Sequence, residues 1–298
     1  MSTAQPHNLP PASVIICSRN RPQLLLESVE SVLQGEAVPA ELIIMDQSDN
    51  ENMPLASMIS KRGCQVRYVR TKTIGECPAK NEAIRLARHD ILVFTDDDVF
   101  VSPDWFGSTV CALLSAGPDT VVTGRVLPAV ATSGDGFVPS TKVDKEPAIY
   151  QGRIYADVLY PLNMAFYRCM IDQVGDFDIR LGAGSPFRGA EDNDFGFRVL
   201  EAGCRIVYAP DSIVYHRAWR TAKDYLPLQW SYGYGQGAYY AKHLSLRDRY
   251  MLGRMQHSVR RHLRLFLRLF WHERREAYAH AVYAFGILYG ATKWLITQ

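Results

Sequence analysis

Three consecutive aspartates, Asp96-Asp97-Asp98, follow directly on the apolar run Ile91 to Thr95. Carboxylates packed that closely repel one another, and a divalent cation bound among them removes the cost. Hard oxygen ligands suit Mg2+ or Mn2+, and such ions pair one or two carboxylates with substrate phosphates. The triplet alone also fits a solvated acidic turn or a helix cap. A second acidic group, Glu191-Asp192-Asn193-Asp194, follows the glycine-rich stretch Gly182 to Gly189 and opens an expected helix. Carboxylates there serve as well for capping as for proton transfer. His216 ends the run Ile213-Val214-Tyr215. By type it is either a metal ligand or a satisfied surface or core histidine.

These groups need a frame. Ser13 to Cys17, Glu41 to Met45, Gln65 to Val69 and Ile91 to Thr95 have the composition of strands, while Pro22 to Leu33 and Ala79 to Ala87 carry helical spacing. The alternation predicts a parallel sheet covered by helices on both faces. Such sheets bind ligands beyond the carboxyl ends of their strands. The polar clusters Ser18-Arg19-Asn20-Arg21, Asp46-Gln47-Ser48-Asp49, Thr71 to Lys80 and Asp96 to Asp98 each follow a strand. Further on, Trp105 to Ala116 predicts a helix, with Trp105 a packing anchor, and Thr120 to Val126 a strand. Pro128 to Pro147 reads as a long loop of the kind that closes over sites. Asp157 to Tyr167 and Arg205 to Tyr208 are further expected strands.

Composition narrows the classes. With 298 residues, 47% of them hydrophobic, the chain is long enough for one large domain or for one domain plus an appendage. A net charge of +2 argues against a dedicated nucleic-acid binder. Six scattered cysteines without a C-x-x-C pair point to reduced thiols in a cytoplasmic protein, not to a zinc site or a disulfide framework. Met1 to Ala12 is polar with no apolar core, so no signal peptide is expected. The first loop lacks the G-x-G-x-x-G of a nicotinamide dehydrogenase and the glycines with which a sugar nucleotidyltransferase grips a triphosphate.

Taken in order, SVIICSRNRPQLLLESVESVL, LIIMDQSDN, GECPAKNEAIRLARHDILVFTDDDVFVSPDWF, YPLNMAFYRCMIDQVGDFDIRLGAG and GAEDNDFGFRVLEAGCRIVYAPDSIVYH resemble the family 2 glycosyltransferases of the GT-A fold, from Ser13 to His216. The resemblance implies an α/β GT-A fold, a mostly parallel, Rossmann-like sheet flanked by helices, and the residues beyond His216 add a C-terminal helical extension. It implies a catalytic domain over 1–222, binding the nucleotide sugar at about 13–127 and the acceptor at about 128–222; the pattern after it predicts a helical region over 223–298. The implied activity is inverting transfer of a sugar from a nucleotide-diphosphate donor, UDP-sugar favoured, to an acceptor hydroxyl, with Mn2+ or Mg2+ as cofactor.

Residue by residue, Asp46 matches the aspartate that contacts the nucleobase, and Ser18, Arg19 and Arg21 match the loop along the nucleotide. Lys80-Asn81 stands where the family commonly has Arg-Asn, a change that keeps the charge but loses the guanidinium fork. Asp96 and Asp98 match the acidic ends of the D-x-D motif, Asp98 as metal ligand and Asp96 on the ribose or the ion, with Asp97 in the variable middle. Asp192 matches the catalytic base and His216 the histidine that completes the metal site. Asn163, Glu191 and Trp219 fall on the acceptor side, and Gly175-Asp176-Phe177-Asp178 resembles a structural turn.

After His216 the character changes. Tyr225 to Tyr240, with its Gly-Tyr-Gly-Gln-Gly core, reads as a flexible aromatic lid or docking surface. From Arg247 to Arg275 arginines and histidines alternate with Leu, Phe and Trp, which suits an amphipathic helix. Such a helix serves equally as an anchor on an anionic membrane surface or as a helix packed on the catalytic domain. Ala279 to Ile296 is apolar over one bilayer length, but His280, Lys293 and several small residues favour an interfacial or self-associating helix over a span. The expected partners are a nucleotide-sugar donor, a glycan or lipid-linked acceptor in cell-surface glycan, polysaccharide or glycolipid assembly, the cytoplasmic face of a membrane and further copies of the chain, with no nucleic acid. The rivals are a sugar nucleotidyltransferase and a non-catalytic membrane-associated scaffold that keeps the transferase fold.

Overall fold

The computed structural model describes residues 9–130 and 136–297. The lead before residue 9, on which part of the signal-peptide expectation rests, and residues 131–135 of the long loop lie outside them. By packing, the described chain divides into two units, one taking residues 9–130, 138–177 and 195–219 and the other 136–137, 178–194 and 220–297. Residues 178–194, grouped by sequence with the catalytic half, therefore pack with the C-terminal helices.

The strands are β1 (Ala12–Ser18), β2 (Glu41–Asp46), β3 (Ser60–Lys61), β4 (Cys64–Arg70), β5 (Ile91–Asp96), β6 (Val99–Val101), β7 (Thr120–Pro128), β8 (Ala148–Gln151), β9 (Asn163–Tyr167) and β10 (Arg205–His216). The helices are α1 (Pro22–Leu33), α2 (Met53–Ala56), α3 (Glu76–Leu86), α4 (Trp105–Ala116), α5 (Cys169–Val174), α6 (Glu191–Glu201), α7 (Tyr225–Lys242), α8 (Tyr250–Leu269) and α9 (Arg274–Thr297).

All strands of the first unit join one sheet in the order β3-β4-β2-β1-β5-β9-β7-β10-β6, with β8 added on β10. The half formed by β4, β2, β1 and β5 is parallel. Antiparallel β9 then separates β5 from β7, so the whole is a mixed α/β sheet. Alternate side chains of the central strands enter two cores. Val14, Ile16, Leu42, Ile44 and Val93 pack on α1 and α4, while Ile15, Ile43, Met45, Leu92 and Phe94 pack toward α3 and α6. Burial on both faces is why these strands read as unbroken aliphatic runs.

Two expectations shift. The strand expected from Asp157 begins only at Asn163, because Pro161 lacks the N–H a ladder needs. The strand expected to stop at Tyr208 runs on to His216, with a register irregularity between Ala209 and Ile213 that accommodates Pro210.

The second unit is built on α7, α8 and α9. Tyr225 to Tyr240, read as flexible, is helical instead. Gly233 and Gly237 are buried against the α9 backbone and Gly235 against the backbone of Arg188 and Gly189, and that packing overrides their weak propensity. Among the described residues no helix is long and apolar enough to cross a membrane.

His262 on α8 stacks on Tyr283 of α9 at 4.1 Å and meets His280 Nδ1 to Nδ1 at 3.1 Å. Burial holds the His262 imidazole down at about 4, and His280 and Arg261 add to this. An unfolded histidine titrates near 6.5, so as pH falls the unfolded chain takes the proton first and the second unit loses stability between about 6.5 and 4. His262→Phe keeps the stack and is expected to flatten the fall of melting temperature across that window. An unchanged slope would place the titration elsewhere.

Candidate active site

The register of the parallel strands sets the first row of polar groups. Ser18 lies beside Asp46, and Cys17 beside Asp96, so the carboxyl ends of β1, β2 and β5 finish level. After Ser18 the chain turns through Asn20 in the left-handed region at φ 56°, which asparagine tolerates better than most residues. The Asn20 and Asp49 loops are stitched together. Asn20 Nδ2 donates to Asp49 Oδ2, and the Asp49 N–H donates to Asn20 Oδ1, both at 3.0 Å.

This turn brings Arg21 onto the acidic triplet. Ser18 Oγ donates to Asp97 Oδ2 at 2.6 Å. Arg21 Nη1 donates to Asp97 Oδ1 at 2.9 Å and to Asp98 Oδ2 at 3.0 Å. The other Asp98 oxygen faces His216 Nε2 at 3.4 Å, with both residues 7% exposed. His216 arrives there because β10 pairs antiparallel with β6, placing His216 beside Val99, the residue after the triplet.

The imidazole is held in a definite tautomer. Its Nδ1 lies 3.0 Å from the Pro139 carbonyl, which can only accept, so Nδ1 carries the proton. In the neutral ring Nε2 then presents a lone pair toward a carboxylate, and a cation between the two satisfies both. Burial lowers the affinity of His216 for a proton, but Asp98 more than offsets it and the net shift is upward. For Asp96, burial and the neighbouring Glu76 push the carboxyl up to about 7, against the pull of Lys80. Asp97 is also raised, by burial first, despite Arg21. The cluster is therefore rich in buried negative charge and short of positive charge, and its oxygen and imidazole donors fit Mg2+ or Mn2+. Among the described residues no three histidine, cysteine, aspartate or glutamate side chains are gathered closely enough to ligate an ion together. Asp98 and His216 make a pair, a number that suits an ion sharing its shell with phosphates.

The other expected site residues divide by environment. Arg19 is exposed beyond the row. Asp46, 1% exposed, accepts from the Tyr68 hydroxyl at 2.6 Å and from the Ser48 N–H at 2.9 Å. Lys80 is buried, pairs with Glu76 and lies over the Phe177 ring. Asn81 binds the Phe177 backbone twice, donating to its carbonyl at 2.8 Å and accepting from its N–H at 3.0 Å. Asn163 is fully buried: it accepts from Trp105 Nε1 and Ser212 Oγ, both at 2.9 Å, and donates to the carbonyls of Ser212 and Arg125. In both asparagines the side chain links elements of the fold. Trp219 is half-buried, its N–H on the Arg217 carbonyl at 2.7 Å.

Glu191 and Asp192 belong to the second unit. Ala190, immediately before α6, has φ 65°, a left-handed conformation that costs a non-glycine residue about 1–2 kcal/mol. Strain of this kind persists where the surroundings enforce it. The first turn of α6 is indeed clamped. Asp192 Oδ1 accepts from the Asn193 N–H at 2.8 Å, and Asn193 Nδ2 donates to Gln236 Oε1 at 2.7 Å. Asp194 is fully buried between Lys242 Nζ and His243 Nε2, each at 2.7 Å. Lys242 also reaches Asp178, and although burial pushes the Asp178 carboxyl up, Arg180 and Lys242 hold it well below the usual range.

Sequence reasoning missed Lys242, His243 and Arg217, and read Asp194 only as one of the acidic residues opening a helix. The Arg217 N–H donates to the Asp98 carbonyl at 2.8 Å, its guanidinium pairs with Glu27 and it lies 3.9 Å over the Phe100 ring, fixing the acidic turn from behind. Its position next to His216 was the only signal available.

Comparison with known proteins follows the same outline. The family model described as Glycosyl transferase family 2 matches residues 13–169, just over half of the chain. A chondroitin synthase of Pasteurella multocida strain Pm70 is 24% identical over 239 residues, covering 69% of this chain and 24% of that protein, so the chain spans about a quarter of that relative's length. A glucosyl-dolichyl phosphate glucuronosyltransferase of Haloferax volcanii is 25% identical over 237 residues, 72% of each chain. The mannosyltransferase PcManGT from Pyrobaculum calidifontis, solved with GDP-Man and Mn2+, shares the fold with a TM-score of 0.63 over 98% of this chain and 89% of that one, at 15% identity.

Proposed function

The chain belongs to glycosyl transferase family 2, and from that premise we propose that it is a metal-dependent, inverting glycosyltransferase that moves a sugar from a nucleotide-diphosphate donor to an acceptor hydroxyl in glycan, polysaccharide or glycolipid assembly. The observation that carries the proposal is the joining of Ser18, Asp97, Asp98 and His216, all buried, with the exposed Arg21 in one anion-rich cluster at the carboxyl ends of the strands. UDP-sugars are the favoured donors, through Asp46 and its matching position in the family, with a GDP-sugar the alternative suggested by the mannosyltransferase neighbour.

Asp98 and His216, with Asp96 nearby, would hold Mn2+ or Mg2+, which supplies charge neutralisation for the departing diphosphate. Ser18, Arg21 and Lys80 bind and orient the nucleotide side of the donor. Asp192 takes the proton of the acceptor hydroxyl as it attacks the anomeric carbon from the face opposite the diphosphate, which inverts that centre. Asn163, Glu191 and Trp219 stand on the acceptor side. The six free cysteines suit a cytoplasmic setting, and the C-terminal helices suit peripheral contact with a membrane that carries the acceptor.

The test is a panel of nucleotide sugars with and without Mn2+, read by thermal shift and by release of nucleotide diphosphate. A donor at a hundred times its dissociation constant stabilises the fold by about 2.7 kcal/mol. One donor is expected to raise the melting temperature only with the cation, and Asp98→Ala to abolish that dependence while the free protein stays folded. Absence of binding and release with every donor would favour the scaffold reading, and pyrophosphate exchange from a nucleoside triphosphate the nucleotidyltransferase.

A further inference from the structure

Helix α8 contains five arginines and no aspartate or glutamate in its 20 residues. One face is committed to the second unit: Met251 is buried, Arg254 donates to the Tyr239 hydroxyl, and His262 stacks on Tyr283. The opposite face is open. Arg260, Arg261, Arg264 and Arg268 are exposed, and so are Leu263 at 46%, Leu267 at 69% and, just past the helix, Trp271 at 75%. Leu263, Leu267 and Trp271 follow one another every fourth residue, and Arg260, Arg264 and Arg268 run in a parallel row, so an apolar stripe lies beside a cationic one.

Single exposed apolar residues are ordinary, but an aligned row of large ones beside uncompensated cations needs a partner with both chemistries. The arginines have no carboxylates on their own helix, so that partner is anionic. A nucleic-acid backbone would neutralise them and leave Leu263, Leu267 and Trp271 in water. An anionic bilayer surface takes both rows, with the leucines at the acyl boundary, the indole among the headgroups and the guanidiniums extended to phosphate.

We propose that the outer face of α8, from Arg260 to Trp271, is a docking surface for an anionic lipid bilayer, on which the helix lies flat. The inference deepens the membrane contact in the functional proposal above and does not depend on transfer activity. Each arginine near such a surface is worth about a fivefold change in partition coefficient, and the attraction weakens as salt screens it.

The test is co-sedimentation of the full chain with vesicles of phosphatidylcholine alone and of phosphatidylcholine mixed with phosphatidylglycerol, with nucleotide release measured in parallel. Recovery is expected on the anionic vesicles only and should fall with added salt. Arg260→Gln/Arg264→Gln/Arg268→Gln should lower the partition coefficient by about a hundredfold, and Leu267→Ser/Trp271→Ser should also lower it, with circular dichroism unchanged in both because the side chains are exposed. Equal recovery on neutral vesicles, indifference to both variants, or retention of a DNA duplex without vesicle binding would overturn the proposal. Failure of the transfer reading would appear separately, as no nucleotide release with vesicles bound.

Discussion

Asp192→Asn is expected to lower sugar transfer by about 10²–10⁴-fold, the usual worth of a positioned general base, while donor and metal binding stay as they are. The substitution is chosen because the fold tolerates it. Asp192 Oδ1 accepts from the Asn193 N–H at 2.8 Å, and an amide oxygen can accept the same bond, so the first turn of α6 keeps its geometry. What is removed is the ability to take a proton. A residue that merely caps the helix would behave otherwise: loss of its charge would cost about 0.3–1 kcal/mol of stability through the helix dipole and leave turnover intact. Single-turnover transfer and nucleotide binding, measured side by side, separate the cases. Full transfer in the variant would end the assignment of Asp192 as base.

The same clamp that makes the variant interpretable was hidden in the sequence. Asp194, Lys242 and His243 meet only where the first turn of α6 meets the end of α7 within the second unit, and no local pattern links them. The link between Asp98 and His216 was legible only through the family resemblance, because the element that joins them, β6, is three residues long and carries too little periodicity to read. By contrast β1, β2 and β5 were plain, since strands buried on both faces must be aliphatic throughout. Asn81 and Asn163 show a different limit of the sequence. A polar residue beside a strand end has the same appearance whether it binds a ligand or satisfies the fold. Only the paired bonds of Asn81 to the Phe177 backbone, and the four bonds of Asn163 to Trp105, Ser212 and Arg125, show what these side chains hold together.

The glycines of α7, read as flexible, lie in a helix, and they support the second large prediction. Gly286 on α9 meets the backbone of Gly233 on α7, and one helical turn further along each helix Gly237 meets the backbone of Ile287 and Gly290 that of Tyr234. A Cβ at Gly237 would clash with the Ile287 carbonyl oxygen and lie 2.8 Å from the Ala291 nitrogen, and one at Gly290 would clash with the Tyr234 carbonyl oxygen and lie 2.9 Å from its carbon. These obstacles are backbone atoms and cannot rotate aside, so the helices must move apart and loosen the core formed by Leu181, Phe187, Ala238, Ala291 and Trp294. Glycine to alanine inside a helix ordinarily stabilises by about 1 kcal/mol. Here the sign should reverse, each of Gly237→Ala and Gly290→Ala costing about 1–3 kcal/mol or more from overpacking, and the two together less than their sum because the first already separates the helices. Gly107→Ala on α4, where a Cβ meets nothing within 4 Å, is the control and should be neutral or stabilising. Denaturant midpoints for the three variants decide the matter: if Gly237→Ala tracks Gly107→Ala upward, α7 and α9 do not approach as closely as their glycines require.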